Sequence, residues 1–265
     1  MIDPSRVVGW VGECLAGGGR FLLLTDYDGT LTSFAPSPDE AWLDPQVRED
    51  LCALERTPGI ALGIVSGRDL GDLRERVAVP DAIYAGCHGL EIDGPGMSFA
   101  HPEAIEQQAT LAEIGVELTL RAPTVPGMYV EIKRFGLAVH YRAVPEDMIR
   151  RVQIEVARAI RLDGSRLRVF HGDKVIEIQP QVAWNKGDCA RFISEAVRRR
   201  SSSPLTILYM GDDWTDEQAF EALAGQAITI RVGGGAPASR AAYRLSAVAD
   251  VHEFLTALAS CGTGR

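Results

Sequence analysis

The sequence predicts an α/β protein: a parallel sheet covered by helices on both faces, interrupted by a smaller α+β insert. Short apolar runs recur at 21–25, 60–65, 83–85, 205–210 and 228–232, each ending in a polar or glycine-containing loop. Runs of this length and apolarity mark strands buried on both faces. Helix-like segments lie between them, among them 45–56, 187–200 and about 216–223, and strand–helix alternation is the signature of a parallel sheet. Between the third and fourth runs the pattern changes. A helical segment at 103–120 is followed by two strand-like segments, 129–133 and 137–142, joined at Arg134-Phe135-Gly136. Another helix, about 146–162, precedes a hairpin-like pair, 167–170 and 174–178, around Gly172-Asp173. The insert is placed at 106–177, with 1–105 and 178–265 forming one discontinuous core. The stretches 198–203 and 233–235 read as loops.

Composition narrows the function. With 46% apolar and 24% charged residues, the 265-residue chain is ordinary for a soluble globular protein. No uninterrupted apolar stretch approaches the roughly 18 residues of a membrane span. Met1-Ile2-Asp3-Pro4 lacks a basic n-region, so no signal peptide is expected. Five scattered cysteines without a C-x-x-C pair read as free thiols in a reducing cytoplasm. A net charge of −9 argues against nucleic acid or an anionic membrane as partner. An anionic substrate would have to be met by local cations.

The loops after the apolar runs hold the chemistry, because ligands of parallel sheets sit beyond the carboxyl ends of the strands. The first run delivers Asp26-Tyr27-Asp28-Gly29-Thr30-Leu31. Residues i and i+2 of an extended chain point the same way, so Asp26 and Asp28 can address one centre. The second run ends in Ser66-Gly67-Arg68, which reads either as an anion cradle or as a helix N-cap by Ser66 or Asp69. Lys186, in Trp184-Asn185-Lys186-Gly187, could donate to a phosphoryl oxygen or simply be a solvated lysine. The fourth run opens into Gly211-Asp212-Asp213-Trp214-Thr215-Asp216-Glu217. Hard oxygen donors of this kind suit Mg²⁺, and Thr215 or Asp216 could also open a capping box. Asp26, Asp28 and Asp212 converging without a cation would repel by several kcal/mol at reduced dielectric (an order-of-magnitude Coulomb figure), which favours a metal.

In this order the motifs resemble the haloacid-dehalogenase-like phosphohydrolases, whose fold is a Rossmann-like core carrying, in the C2 type, an inserted α+β cap. The strings Tyr84-Ala85-Gly86-Cys87-His88-Gly89 and Val139-His140-Tyr141-Arg142 are similar, within that group, to the trehalose-6-phosphate phosphatases. The resemblance implies an Mg²⁺-dependent phosphoric monoester hydrolase of trehalose biosynthesis, acting on a phosphorylated disaccharide through an aspartyl-phosphate. Asp26 would be the nucleophile and Asp28 the acid/base, with Ser66 and Lys186 holding the phosphoryl oxygens. Metal would be held by Asp26, the backbone carbonyl of Asp28, and Asp212, with Asp213 or Asp216 supporting its waters. Arg68, His88, Lys133, His140, Arg142, Lys174 and Glu177 would bind substrate, with His140 and Arg142 on one strand face. Cys87, Gln179 and Asn185 depart from the family pattern of Ser, Arg or Lys, and Asp. Gln179 beside Glu177 bears on substrate preference. The alternatives are a capped phosphatase for sucrose phosphate or a glycosyl-phosphoglycerate, a phosphomutase, or an inactive module scaffolding a trehalose-phosphate synthase. A functional link to such a synthase is also implied.

Overall fold

The computed structural model of the protein describes residues 4–35, 37–160, 166–172, 174–234 and 238–262. Helix α1 (Pro4–Ala16) precedes the first apolar run, which forms β1 (Arg20–Thr25). Then come α2 (Pro45–Arg56), β2 (Ile60–Val65), α3 (Leu70–Val77) and β3 (Ile83–Gly86). A hairpin follows, β4 (Glu91–Gly94) and β5 (Met97–Ala100). The next segment comprises α4 (Pro102–Arg121), β6 (Tyr129–Lys133), β7 (Gly136–His140), α5 (Ile149–Ile160), β8 (Leu167–Gly172) and β9 (Val175–Pro180). The chain closes with α6 (Lys186–Arg198), β10 (Leu205–Gly211), α7 (Trp214–Ala222), β11 (Ile228–Val232), β12 (Tyr243–Leu245) and α8 (Val248–Gly262). The expected strands and helices are present, with ends that coincide or shift by up to three residues. The expected residues Leu162, Asp173 and Gly235 lie outside the described ones. Helix α3 starts where the N-cap reading of Asp69 places a helix, whereas helices α1 and α8, the β4–β5 hairpin and β12 were not anticipated.

The chain divides into two units, Met1–Phe99 with Trp184–Arg265, and Ala100–Ala183. The insert is therefore wider than the expected 106–177 at both ends. The reason is local: α4 already begins at Pro102, a proline at the first helical turn, and β9 keeps its ladder with β8 as far as Pro180 opposite Leu167.

In the larger unit the strand order is β12-β11-β10-β1-β2-β3-β4-β5. Strands β12 to β3 are parallel and β4 runs antiparallel to β3. Alternation along β1 sorts its side chains between two cores. Phe21 and Leu23 pack with Val7 and Val11 of α1, Val47 and Leu51 of α2, and Phe254 and Leu255 of α8. Leu22 and Leu24 pack with Cys189 and Ile193 of α6 and Phe220 of α7. Each β1 leucine is fully buried, contributing about 1.5–3 kcal/mol apiece relative to exposure. Phe99 and Trp184, the last residue before the smaller unit and the first after it, stack with ring centroids 5.0 Å apart.

The smaller unit is a four-stranded antiparallel sheet, β6-β7-β9-β8. One face, with Leu137, Val139, Ile176 and Ile178, packs against Leu111, Ile114 and Leu118 of α4 and Val152 and Val156 of α5. Period-two alternation leaves Glu131, Lys133, His140, Glu177, Gln179 and Arg168 on the other face.

Candidate active site

The larger sheet reverses its order at β1. Strands β2 and β3 extend to one side, and β10 and β11 to the other. A crevice at the carboxyl ends of β1 and β10 is where such sheets bind ligands, and it receives Asp26 and Asp212. Asp26 shares the parity of Leu22 and Leu24, so its side chain falls on the side of α6 and α7. Those two helices supply its partners.

Lys186, the first residue of α6, is 2% exposed. Its Nζ donates to Asp26 Oδ1 and Asp216 Oδ1, each at 2.8 Å, and lies 4.0 Å from Asp213 Oδ1. It is not a solvated lysine. Burial works against its charge, but Asp216 and Asp26 outweigh it and hold the ammonium well above its ordinary range. Asn185 opens α6 by accepting from the Gly187 and Asp188 backbone N–H groups at 2.7 and 3.3 Å, so asparagine performs the capping that sets Lys186.

Asp216 is wholly buried and meets four donors. Oδ1 accepts from Lys186 and from the Tyr209 hydroxyl (2.8 Å), and Oδ2 from the backbone N–H groups of Asp212 and Asp213 (3.0 and 3.1 Å). It thereby fixes the loop that presents Asp212. Asp213 is the N-cap of α7, accepting from Thr215 N (2.8 Å), Thr215 Oγ1 (2.6 Å) and Asp216 N (3.1 Å). Burial opposes its charge, yet Lys186 and the Thr215 hydrogen bond pull its pKa down to about 2. The expected capping box is present, with Asp213 rather than Thr215 as N-cap and Asp216 as its reciprocal third-position member.

One carboxylate oxygen from each of Asp26, Asp212 and Asp216 lies within 4.8 Å of the others. Burial and the charges of Asp216 and Asp213 push Asp212 up to about 7. Burial, Asp212 and Asp213 likewise push Asp26 upward against Lys186. Crowded carboxylates forced toward protonation are short of positive charge, and this hard-oxygen donor set fits a divalent cation such as Mg²⁺. The Asp28 carboxylate is not in this trio, and Asp213 puts its Oδ1 into the cap.

Gly29 allows the two loops to meet. It has φ +86°, and a Cβ there would overlap the Asp212 carboxylate. Thr30 Oγ1 donates to Asp212 Oδ1 at 3.3 Å. Asp28 turns away to Arg68, whose Nε and Nη2 donate to its two oxygens at 2.7 Å each. The guanidinium expected on substrate is engaged inside the protein. Ser66, buried after β2, accepts from Arg68 N at 3.2 Å, and Asp69 rather than Ser66 caps α3. His88 sits at φ +58° with its ring against Gly67, where a Cβ would stand 2.7 Å from His88 Cε1.

On the polar face of the smaller unit, Lys133 Nζ lies 3.9 Å from Glu131 Oε1 and 3.7 Å from Glu177 Oε1. His140 Nε2 is 2.9 Å from Glu131 Oε2 and its ring stacks on Tyr129. Gln179 donates to Glu177 Oε2 at 2.7 Å. Lys133, His140 and Glu177 therefore converge, joined by Glu131, which the strand alternation of Tyr129–Lys133 could have revealed. Arg142 does not lie on the strand that carries His140. Strand β7 ends at His140 and the chain turns, with Val144 N donating to Tyr141 O at 3.1 Å. Lys174 lies in the β8–β9 turn at φ +60°, its carbonyl accepting from Tyr141 N at 2.9 Å. Arg142 and Lys174 thus mark the end of the sheet.

A family profile described as trehalose-phosphatase matches residues 24–248, a span that includes every residue of the carboxylate cluster. The trehalose-phosphate phosphatase of Mycobacterium tuberculosis H37Rv is 39% identical over 240 residues, covering 88% of this chain and 60% of its own. That of Mycobacterium avium is 39% identical over 267 residues, covering 97% and 66%. The chain thus spans about three-fifths to two-thirds of the length of these curated relatives. The C-terminal domain of Candida albicans trehalose-6-phosphate phosphatase shares the fold, with TM-score 0.77 and 22% identity, covering 98% of this chain and 97% of that domain. The fold is of the haloacid-dehalogenase type, and the chain belongs to the trehalose-phosphatase family.

Proposed function

We propose that the protein is an Mg²⁺-dependent phosphatase releasing trehalose and phosphate from trehalose 6-phosphate. The observation that carries the chemistry is the buried cluster of Asp26, Asp212 and Asp216 around Lys186. Lys186 occupies Asp26 Oδ1, which leaves Oδ2 to attack phosphorus. The phosphorus–sugar oxygen bond breaks as Asp28 gives that oxygen a proton, leaving an aspartyl-phosphate on Asp26. A water then attacks phosphorus, Asp28 takes its proton, and the bond to Asp26 breaks to free phosphate. Lys186 and Ser66 steady the phosphoryl oxygens throughout. Asp26 and Asp212 would hold the divalent cation, with Asp216 fixing Asp212 behind them. Bound there, the cation supplies charge neutralisation for the phosphoryl group.

The family and the polar face of the smaller unit support this choice of sugar. That face presents two carboxylates, an ammonium and an imidazole in one network, the mixed donor–acceptor chemistry that polyhydroxyl ligands require. A panel of sugar phosphates with Mg²⁺ tests both levels. Strong preference for trehalose 6-phosphate and an inactive Asp26→Asn variant are expected. Equal turnover of simple hexose phosphates would overturn the substrate while leaving the reaction; an active Asp26→Asn variant would overturn the mechanism.

A further inference from the structure

Arg68 has no part in the phosphatase reaction as described, yet it is one of the most fully engaged side chains beside the crevice. Nε and Nη2 hold both oxygens of Asp28 at 2.7 Å. Nη1 donates to Asp72 Oδ2 at 2.8 Å, and Nη2 also to the carbonyl of Pro38 at 2.9 Å. The guanidinium carbon stands 5.3 Å from the centroid of the Tyr27 ring. The arrangement continues outward. Asp72 Oδ1 accepts from Arg76 Nε at 2.7 Å, and Arg76 Nη1 donates to the carbonyls of Asp39 and Ala41 at 3.2 and 3.1 Å. Arg68 and Arg76 are 6% and 4% exposed.

Two consequences follow from charge and geometry. Two guanidinium groups face three carboxylates, Asp28, Asp72 and Asp39, the last 3.7 Å from Arg76 Nη2, so this row offers an incoming phosphate no net attraction. Every nitrogen of Arg68 is also committed within the protein. Asp28, in turn, is held away from the Asp26, Asp212 and Asp216 trio despite lying two residues from Asp26.

We infer that Arg68 is a positioning residue for the leaving-group step, anchoring Asp28 at the rim of the carboxylate cluster through a two-pronged hold that Asp72 and Arg76 brace from behind. This rests on the reading of Asp28 as the general acid. To act, Asp28 releases one prong, takes a proton from solvent on the freed oxygen, and turns about the other prong to deliver that proton to the departing oxygen. Lysine, a point charge on a flexible stem, cannot reproduce a fork that holds one oxygen while freeing the second.

The test compares leaving groups. An alkyl or sugar alkoxide departs only with a proton, whereas p-nitrophenolate departs unaided. Single-turnover release of the alcohol or of p-nitrophenolate, measured on the purified full chain with Mg²⁺, reports the first step alone. Asp28→Asn should lower the alkyl-to-aryl rate ratio by about 100-fold or more. Arg68→Gln should lower the same ratio by roughly 10- to 100-fold, the effect of a misplaced catalytic group, with Arg68→Lys between it and the parent. Asp72→Asn, which loosens Arg68 without touching Asp28, should show a smaller loss of the same kind and serves if Arg68→Gln does not fold. An unchanged ratio in Asp28→Asn would overturn the acid role itself. A selective loss in Asp28→Asn, with equal losses on both substrates in the Arg68 or Asp72 variants, would overturn only the positioning role.

Discussion

Replacing Lys186 by methionine tests whether the cluster is held by charge. The side chain keeps its volume but loses two hydrogen bonds to carboxylates, at 2.8 Å to Asp26 and 2.8 Å to Asp216. Hydrogen bonds to charged groups contribute about 1.5–3 kcal/mol each, and breaking a buried ion pair by removing one partner costs about 3–5 kcal/mol. The two routes agree on a loss of about 3–5 kcal/mol for the larger unit. The loss should be coupled to Asp216. Adding Asp216→Asn to Lys186→Met removes the stranded carboxylate, and the double-mutant cycle should return an interaction of about 1–3 kcal/mol. Urea unfolding followed by tryptophan fluorescence in EDTA measures all four corners, because Trp184 and Trp214 report on the larger unit. Phosphatase turnover should stay lost in the double variant even where stability returns. A loss below about 1 kcal/mol, the range of exposed ion pairs, or strictly additive single effects, would refute the reasoning.

Two further outcomes follow from the same site. Gly29→Ala puts a methyl group into the Asp212 carboxylate at φ +86°. It should weaken Mg²⁺ binding at least tenfold by isothermal titration, while the left-handed backbone costs about 1–2 kcal/mol; unchanged affinity would separate Asp212 from the metal. The raised pKa of Asp212, about 7 against 3.8, also has a definite sign. Metal-free, the folded chain holds a proton there that the unfolded chain releases, so this contribution to stability is lost as pH rises from about 4 through 7. Mg²⁺ needs the ionised form, so its stabilisation in thermal melts should be larger at pH 8 than at pH 5. An equal Mg²⁺ shift at both values would contradict the assignment.

The parts of the site legible in the sequence are those fixed by short-range rules. Asp26 follows an apolar strand, and its parity decides which helices it faces. The α7 loop carries its own capping residues. Lys186 was visible as a lysine before a helix, but nothing local distinguishes a buried lysine from a solvated one. That required α6 to pack on the same side of β1 as Leu22 and Leu24. The Asp28–Arg68 pair joins the loops after two adjacent strands and depends on where those loops fold. The grouping of Lys133 with Glu131 and Glu177 depends on register, which places Ala138 opposite both glutamates. Helix α8 left a readable trace in Val251, Phe254, Leu255 and Leu258, spaced for one helical face. Arg142 falls outside the strand because the expected β7 runs two residues beyond its last ladder pair, His140 with Val175.

The stacked rings of Phe99 and Trp184 act as a buckle on the chain. Everything made between them can lengthen, shorten or be replaced while the two crossings leave the larger unit at the same points. Lengthening the enclosed segment adds only a logarithmic entropy term, roughly 0.6 kcal/mol for each doubling. Asp26 is made before the buckle closes and Lys186 two residues after Trp184, so the centre is completed only when the inserted unit has already left the ribosome. Both rings belong to the larger unit, so the stack closes that unit's chain whatever the length of the segment between them.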